Sequence, residues 1–304
     1  MRMENFSTEA KEIYLEALRF VNRKEQEARV TGKLTFGRLY DIAAAIVRSI
    51  ENSEQLTSYA VYYFDPVDIT RSHVINTAIF ATVLAKGIGY SDDQLIQLCA
   101  NALLHDIGVA RLDVSLFNKP VANLTEEELA TVETHSRLGY EIILQADDKH
   151  EEFAKVVYQH HEKCDGSGYP VHLTRDKMMP NSKILSLIDT YEALIHPRDH
   201  RDALIPPVGI QELIKQEGQR FSNKLMKALI ETISLYPVGC FVHLNTGEIA
   251  TVVKTNKHFP SRPQVRIMYD KYRQKAKRQI VDLAQNNLLV IEKCIPSPKM
   301  QRIA

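Results

Sequence analysis

The sequence has no cysteine pair at CxxC spacing, no long apolar run, no excess of either charge and no internal repeat. Its four cysteines, Cys99, Cys164, Cys240 and Cys294, lie far apart, which excludes a zinc ribbon and gives no disulfide framework; reduced thiols are expected. No stretch reaches the ~18 apolar residues needed to span a bilayer. The start, Met1-Arg2-Met3-Glu4-Asn5, lacks the apolar core of a signal peptide, and the two absences together predict a soluble, cytoplasmic chain with no stable membrane insertion. Lys plus Arg and Asp plus Glu number 38 each, so nucleic acid is not expected as a partner, although a local basic pocket for one small anion is compatible with that balance. With 44% hydrophobic and 25% charged residues, disorder is excluded, and 304 residues leave room for about two domains.

What is present is mostly helical periodicity. From Ser7 to about 64, apolar residues such as Tyr14, Leu18 and Val21, then Ile42, Ile46 and Ile50, recur at three- and four-residue steps, with Thr31-Gly32-Lys33 as an interruption. This N-terminal helical region, residues 1–64, carries no catalytic motif and reads as a packing or dimerising module, so a homodimer is an assembly it allows. Helices continue through 65–236. Ser91 with Gln94 and Thr125 with Glu128 form capping-box patterns, and Gly87 is a C-terminal stop. At Pro237 the period changes to two: Cys240–Leu244, a turn at Asn245-Thr246-Gly247, then Glu248–Lys254 read as a hairpin. Further strands are expected at Gln264–Tyr269, Gln279–Leu283 and Leu288–Ile295, so that 237–304 forms a small SH3-like, β-barrel-like domain with a C-terminal tail. The fold class is therefore mainly α.

Five histidines fall in the helical middle, His73, His105, His135, His160 and His161, together with Asp106 and Asp189. Successive positions are separated by roughly 25 to 32 residues, about one helix and its connection, so antiparallel neighbours can converge these side chains. A lone helix-borne histidine is most often a solvated or hydrogen-bonded residue; seven such groups at this spacing read as a metal site of mixed imidazole and carboxylate donors. The adjacent pair His105-Asp106 favours a dinuclear centre, because a carboxylate has two oxygens with which to bridge two ions. Two such ions can activate water and clamp a phosphate.

The string His105-Asp106-Ile107-Gly108, followed by Asn118-Lys119-Pro120, Leu124-Thr125-Glu126-Glu127 and His160-His161-Glu162-Lys163-Cys164-Asp165-Gly166-Ser167-Gly168-Tyr169-Pro170, closely resembles the HD-GYP family of cyclic di-GMP phosphodiesterases, over about residues 68 to 201. The resemblance implies an HD-GYP-like helical bundle at 65–236 and hydrolysis of cyclic di-GMP to pGpG, with onward conversion to GMP as an option, by a metal-bridging hydroxide. It implies two divalent transition-metal ions, iron or manganese, with His73, His105, Asp106 and Asp189 around one and His135, His160 and His161 serving the second, Asp106 being shared. Gly168, Tyr169 and Pro170 would shape the substrate cleft and meet diguanylate cyclase (GGDEF) partners. Arg198, Arg201, Tyr169 and Lys163 are candidates for substrate contact, since guanidinium forks and ammonium groups match phosphate.

Three departures stand out. Val109 replaces the lysine of the family's HDIGK pattern and removes a cation expected at the phosphate, which predicts reduced activity. Ile69 occupies the place where three-metal members carry a glutamate, so two ions are favoured over three. Val171-His172 after Pro170 alters the cleft edge. The alternative reading is a catalytically weak cyclic di-GMP sensor or signalling scaffold with an intact metal site.

Overall fold

A computed structural model describes residues 7–63, 68–197, 202–217, 220–256 and 258–295. The boundary expected at 64–65 and the C-terminal tail from 296 lie outside these residues. Ten α-helices occur among them: α1 (Thr8–Gln26), α2 (Leu39–Asn52), α3 (Gln55–Tyr62), α4 (Ile69–Gly87), α5 (Asp92–Leu103), α6 (Glu126–Ala146), α7 (Glu151–Tyr158), α8 (Pro180–Ile195), α9 (Pro206–Glu217) and α10 (Asn223–Thr232). Both capping boxes form, Ser91 with Gln94 on α5 and Thr125 with Glu128 on α6. Pro180 opens α8 at a position where its missing N–H costs nothing.

Helix α4 is buried on nearly every side from Ser72 to Thr82, as expected of a helix apolar all round, and packs against α1, α3, α5, α8 and α10. Side chains of the first helices, among them Tyr14, Phe20, Ile46 and Leu56, share one buried cluster with Phe80, Leu98 and Tyr191 of the later ones. The interruption near Gly32 is a π-helical turn, Glu27–Thr31, closed by Gly32 at φ 65°. Gly87 is still helical; the left-handed residue beyond it is Gly89 at φ 90°.

The C-terminal strands β1 (Phe241–Leu244), β2 (Ile249–Lys254), β3 (Gln264–Tyr269), β4 (Lys275–Asp282) and β5 (Ile291–Ile295) form one antiparallel sheet in the order β4-β3-β2-β1-β5. It is open: β4 pairs with β3 and β5 with β1, and closure would require β4 and β5 to pair. The barrel-like expectation is corrected to an open antiparallel sheet. The fourth strand starts at Lys275 rather than Gln279, because lysines along an exposed edge strand mask its period of two. The fifth starts at Ile291, with Leu288 and Val290 exposed ahead of it. A second correction concerns thiols. Cys240 and Cys294 are joined as a disulfide, brought together by the pairing of β1 with β5 across 54 residues of sequence, while Cys99 and Cys164 are free. Among the described residues no helix is long and apolar enough to cross a membrane.

The sheet buries its own cluster, Cys240, Val242, Leu244, Ala250, Val252, Val265, Leu283 and Ile291, separate from the helical one. A chain ending at Leu235 is therefore expected to melt cooperatively by far-UV circular dichroism and to take up metal as the full chain does. Failure of the folded truncated chain to retain metal would show that the sheet contributes to the site.

Candidate metal centre

Three helices and two tight turns deliver the seven groups. His73 lies in the first turns of α4, His135 in the middle of α6 and Asp189 in α8; His105-Asp106 follow the end of α5, and His160-His161 the end of α7. Gly108 makes the approach possible. The short 3₁₀ turn Ile107–Arg111 lies so close to α6 that a Cβ at Gly108 would overlap the main-chain oxygen of His135. Asp106 and His135 are thereby brought to 3.4 Å, Oδ1 to Nε2.

Two groups of donors result, each with its ligand atoms within 4.8 Å of one another: Asp106, His135, His160 and His161, and His73, His105 and Asp189. Asp106 spans both, Oδ1 lying 3.5 Å from His160 Nε2 and Oδ2 3.5 Å from His105 Nε2. Asp189 spans them as well. Its Oδ1 is 2.8 Å from His73 Nε2 and its Oδ2 3.6 Å from His161 Nδ1, a second bridge that sequence reasoning did not assign.

The imidazole orientations test whether metal fits. His105, His135 and His160 each face a main-chain carbonyl three residues back with Nδ1, at 2.7, 2.7 and 2.5 Å to Ala102, Val132 and Val157. A carbonyl only accepts, so each Nδ1 carries the proton and each Nε2 presents a lone pair to the centre. His135 Nε2 and His160 Nε2 then face one another at 3.2 Å as two acceptors, and His105 Nε2 is buried without a hydrogen-bond partner. Lone pairs converging in this way, beside two carboxylates, are satisfied by a bound metal ion, so the residues present fit one.

Burial pushes the His135 imidazole down to about 4, the Asp106 charge opposing, and lowers His105 and His161 for the same first reason. Burial works against the charge of Asp106, but the imidazoles of His105, His160 and His135 more than offset it and hold the carboxyl well below its usual range; His73 and His161 do the same for Asp189. In metal-free protein the unfolded chain thus binds protons on these histidines before the folded one does. Their contribution to stability is complete above the ordinary imidazole value of 6.5 and is lost as pH falls from there toward about 4. Thermal melts in chelator are expected to give a steady Tm above about pH 7 and a falling one from about pH 6.5 to 4.5. A flat Tm across that window would contradict neutral burial.

The segment after His161 is anchored from beneath. The fully buried Glu162 carboxylate accepts from Val171 N at 2.6 Å and Leu173 N at 2.8 Å, and Ser186 Oγ donates to Glu162 O at 2.6 Å. Gly168 crosses the backbone of residues 161–163 too closely for any Cβ. Asp165 Oδ1 accepts from Ser167 N and Oγ, a turn-forming role. Tyr169, joined to Pro170 by a cis bond, brings its ring centroid to 4.7 Å from that of His161. Burial, then the charges of Asp189 and Asp106, push its phenol well above 10. Lys163 is turned to α8, its Nζ 3.1 Å from Thr190 Oγ1 and 4.6 Å from the Phe221 ring centroid. Arg198 and Arg201 lie outside the described residues. Glu192, which sequence reasoning missed, is buried behind His73 and paired with it. Its signal was three residues from Asp189 on one helix, which places both carboxylates on a common face.

A helical bundle that converges histidine and aspartate groups in this way has the architecture and the donor set of an HD-type domain. Residues 39–225 match the family model described as HD domain, and the chain belongs to that family; residues 241–302 match the model described as KOW domain associated with HD domain. The chain is similar to the cyclic di-GMP phosphodiesterase PdeB of Borreliella burgdorferi, with 30% identity over 193 residues, 64% of this chain and 50% of that protein. A cyclic di-GMP phosphodiesterase of Pseudomonas aeruginosa is 24% identical over 219 residues, 72% of this chain and 52% of the other. A 3'3'-cGAMP-specific phosphodiesterase of Vibrio cholerae is 31% identical over 163 residues, 53% and 31% of the two chains. The chain thus spans about half the length, or less, of these curated relatives. Among solved structures, the HDG"Y"P protein Bd1817 of Bdellovibrio bacteriovorus shares the fold at a TM-score of 0.63 and 19% identity, covering 75% of this chain and 73% of that one.

Proposed function

We propose that this protein is a cyclic dinucleotide phosphodiesterase that hydrolyses cyclic di-GMP to pGpG, and to GMP where turnover continues, using two transition-metal ions, iron or manganese. The observation that carries the reading is the pair of donor groups joined by Asp106 and Asp189. Bound ions would supply an activated water and charge to polarise the phosphoryl oxygens. The chain's own residues do the rest. Asp106 and Asp189 hold the two donor groups in register, and the carbonyls behind His105, His135 and His160 fix which nitrogen each offers. Tyr169, kept protonated beside this centre, donates its O–H toward a phosphate oxygen. Arg198 and Arg201 remain candidates for the second phosphate, as does Lys163 if its ammonium leaves Thr190. The surface around Gly168, Tyr169 and Pro170, continued by the 47% exposed Val171, is the proposed contact for cyclase partners.

A second reading, a weakly active sensor with an intact metal site, rests on Val109, which places an apolar side chain where a cation would assist the leaving oxygen. The test is anaerobic purification, metal analysis and hydrolysis of cyclic di-GMP. Two ions per chain with pGpG formation are expected, and His135→Ala should remove mainly one ion. Two ions and tight cyclic di-GMP binding without hydrolysis would establish the sensor; a protein that takes up no transition metal overturns both.

A further inference from the structure

His73 differs from the other imidazoles in what stands behind it. His105, His135 and His160 face main-chain carbonyls with Nδ1; His73 faces the Glu192 carboxylate, Oε2, while its Nε2 points at Asp189. Glu192 is 1% exposed. Its other oxygen, Oε1, accepts from Asn76 Nδ2 at 3.2 Å and lies 2.9 Å from His196 Nδ1. Asn76, fully buried one turn along α4 from His73, can offer only its N–H to a carboxylate, so its Oδ1 is turned the other way. There it accepts the hydroxyl of Tyr14 at 2.9 Å. Tyr14 is itself fully buried and packed edge-on against Tyr59 and Tyr63. The Tyr14 hydroxyl also lies 3.4 Å from Ser72 O and Asn76 Nδ2 3.3 Å from Tyr63 O, and the shorter contact of each runs toward Glu192.

We infer that Glu192 is a positioning residue that makes the two ion positions inequivalent, and that Tyr14 and Asn76 hold it in place, so that helix α1 completes the metal centre. A carboxylate behind a ligating imidazole fixes the tautomer and raises the basicity of the nitrogen turned to the metal, more than a neutral carbonyl does. The effect is local to the group His73, His105 and Asp189; the group of Asp106, His135, His160 and His161 has no such partner among the described residues. Tyr14 lies outside residues 39–225, the segment matched by the HD domain family. The matched segment alone therefore lacks the outermost support of its own metal site. Tyr14 reaches it from a helix that sequence reading assigned to packing.

The inference rests on the metal reading of the site, and the experiment separates the two. Apo full-length protein is titrated anaerobically with Mn(II), free ion being counted by electron paramagnetic resonance. Wild type is expected to take up two ions. Glu192→Gln should weaken one of them by ~10- to 100-fold and leave the other unchanged. Glu192→Asp, which keeps the charge, should recover part of the loss, and Tyr14→Phe, which removes one hydroxyl from a ring that still fills its site, should weaken the same ion by a smaller factor. Tyr191→Phe is the control: its hydroxyl, on the residue before Glu192, is buried without a hydrogen-bond partner, and its removal should change neither ion. Folded Glu192→Gln and Tyr14→Phe proteins that bind both ions as wild type does overturn the inference. So does equal weakening of both ions, which would mark a general structural role. Should Glu192→Gln fail to fold, Tyr14→Phe decides alone. Wild type that binds no Mn(II) overturns the metal reading itself, and the inference with it.

Discussion

Asp106→Ala is expected to lose the ion held among His135, His160 and His161, to weaken the other, and to reduce hydrolysis by more than about 10²-fold, a larger loss than removal of a ligand's supporting partner causes. Asp106 is the carboxylate that faces His135 and His160, and without it a dication there keeps three neutral imidazoles and only the more distant Asp189 Oδ2, 3.6 Å from His161 Nδ1. Asp189 still serves the His73 side through Oδ1, so residual metal should be about one ion or less. The thermal shift on adding metal should shrink in step, because an ion that binds the folded chain stabilises it by mass action. Metal analysis, melts with and without metal, and a hydrolysis assay read all three. Two ions retained by the mutant would reject the bridging role.

The second large effect runs the other way: Val109→Lys is expected to raise kcat on cyclic di-GMP by up to ~10²-fold, the lower end for one positioned acid–base group, with metal content unchanged. Val109 is 6% exposed in the turn that follows Asp106, yet it belongs to neither apolar cluster. A lysine there would have a buried stem and an ammonium near the donor groups, where negative charge develops on the leaving oxygen. The nearby native lysines are committed elsewhere, Lys119 to Glu128 at 2.5 Å and Lys163 to Thr190 and the Phe221 ring. Fast wild-type turnover that the substitution leaves unchanged would mean that another cation already fills the role.

Periodicity and capping made the helices legible, since both depend on neighbours three and four residues away; the boxes at Ser91 and Thr125 form as their spacing suggests. The convergence of seven distant side chains was legible through a string dense enough to resemble a family, not through any local rule. What stayed hidden depends on which elements meet. Glu192 reads as one more helical glutamate until α4 lies beside α8. The Asp189 bridge depends on an angstrom-scale placement of His161. Cys240 and Cys294 carry no spacing signal, because strand pairing rather than sequence separation brings them together. The sheet's openness was equally invisible: five strands of this size can close or not, and the pairing partners of β4 and β5 decide it.

The two donor groups are completed at different moments of the chain's synthesis. The Asp106 group has all its donors once His161 has been added, whereas the His73 group waits for Asp189, 28 residues later. At ~5–20 residues per second that interval is roughly 1 to 6 s, long compared with the microsecond formation of a helix. An ion captured by the nascent chain in that interval would meet Asp106, His135, His160 and His161 as the one complete donor group of the two. The His73 group is complete only after α8 has emerged and packed, so it is the later of the two donor groups to form.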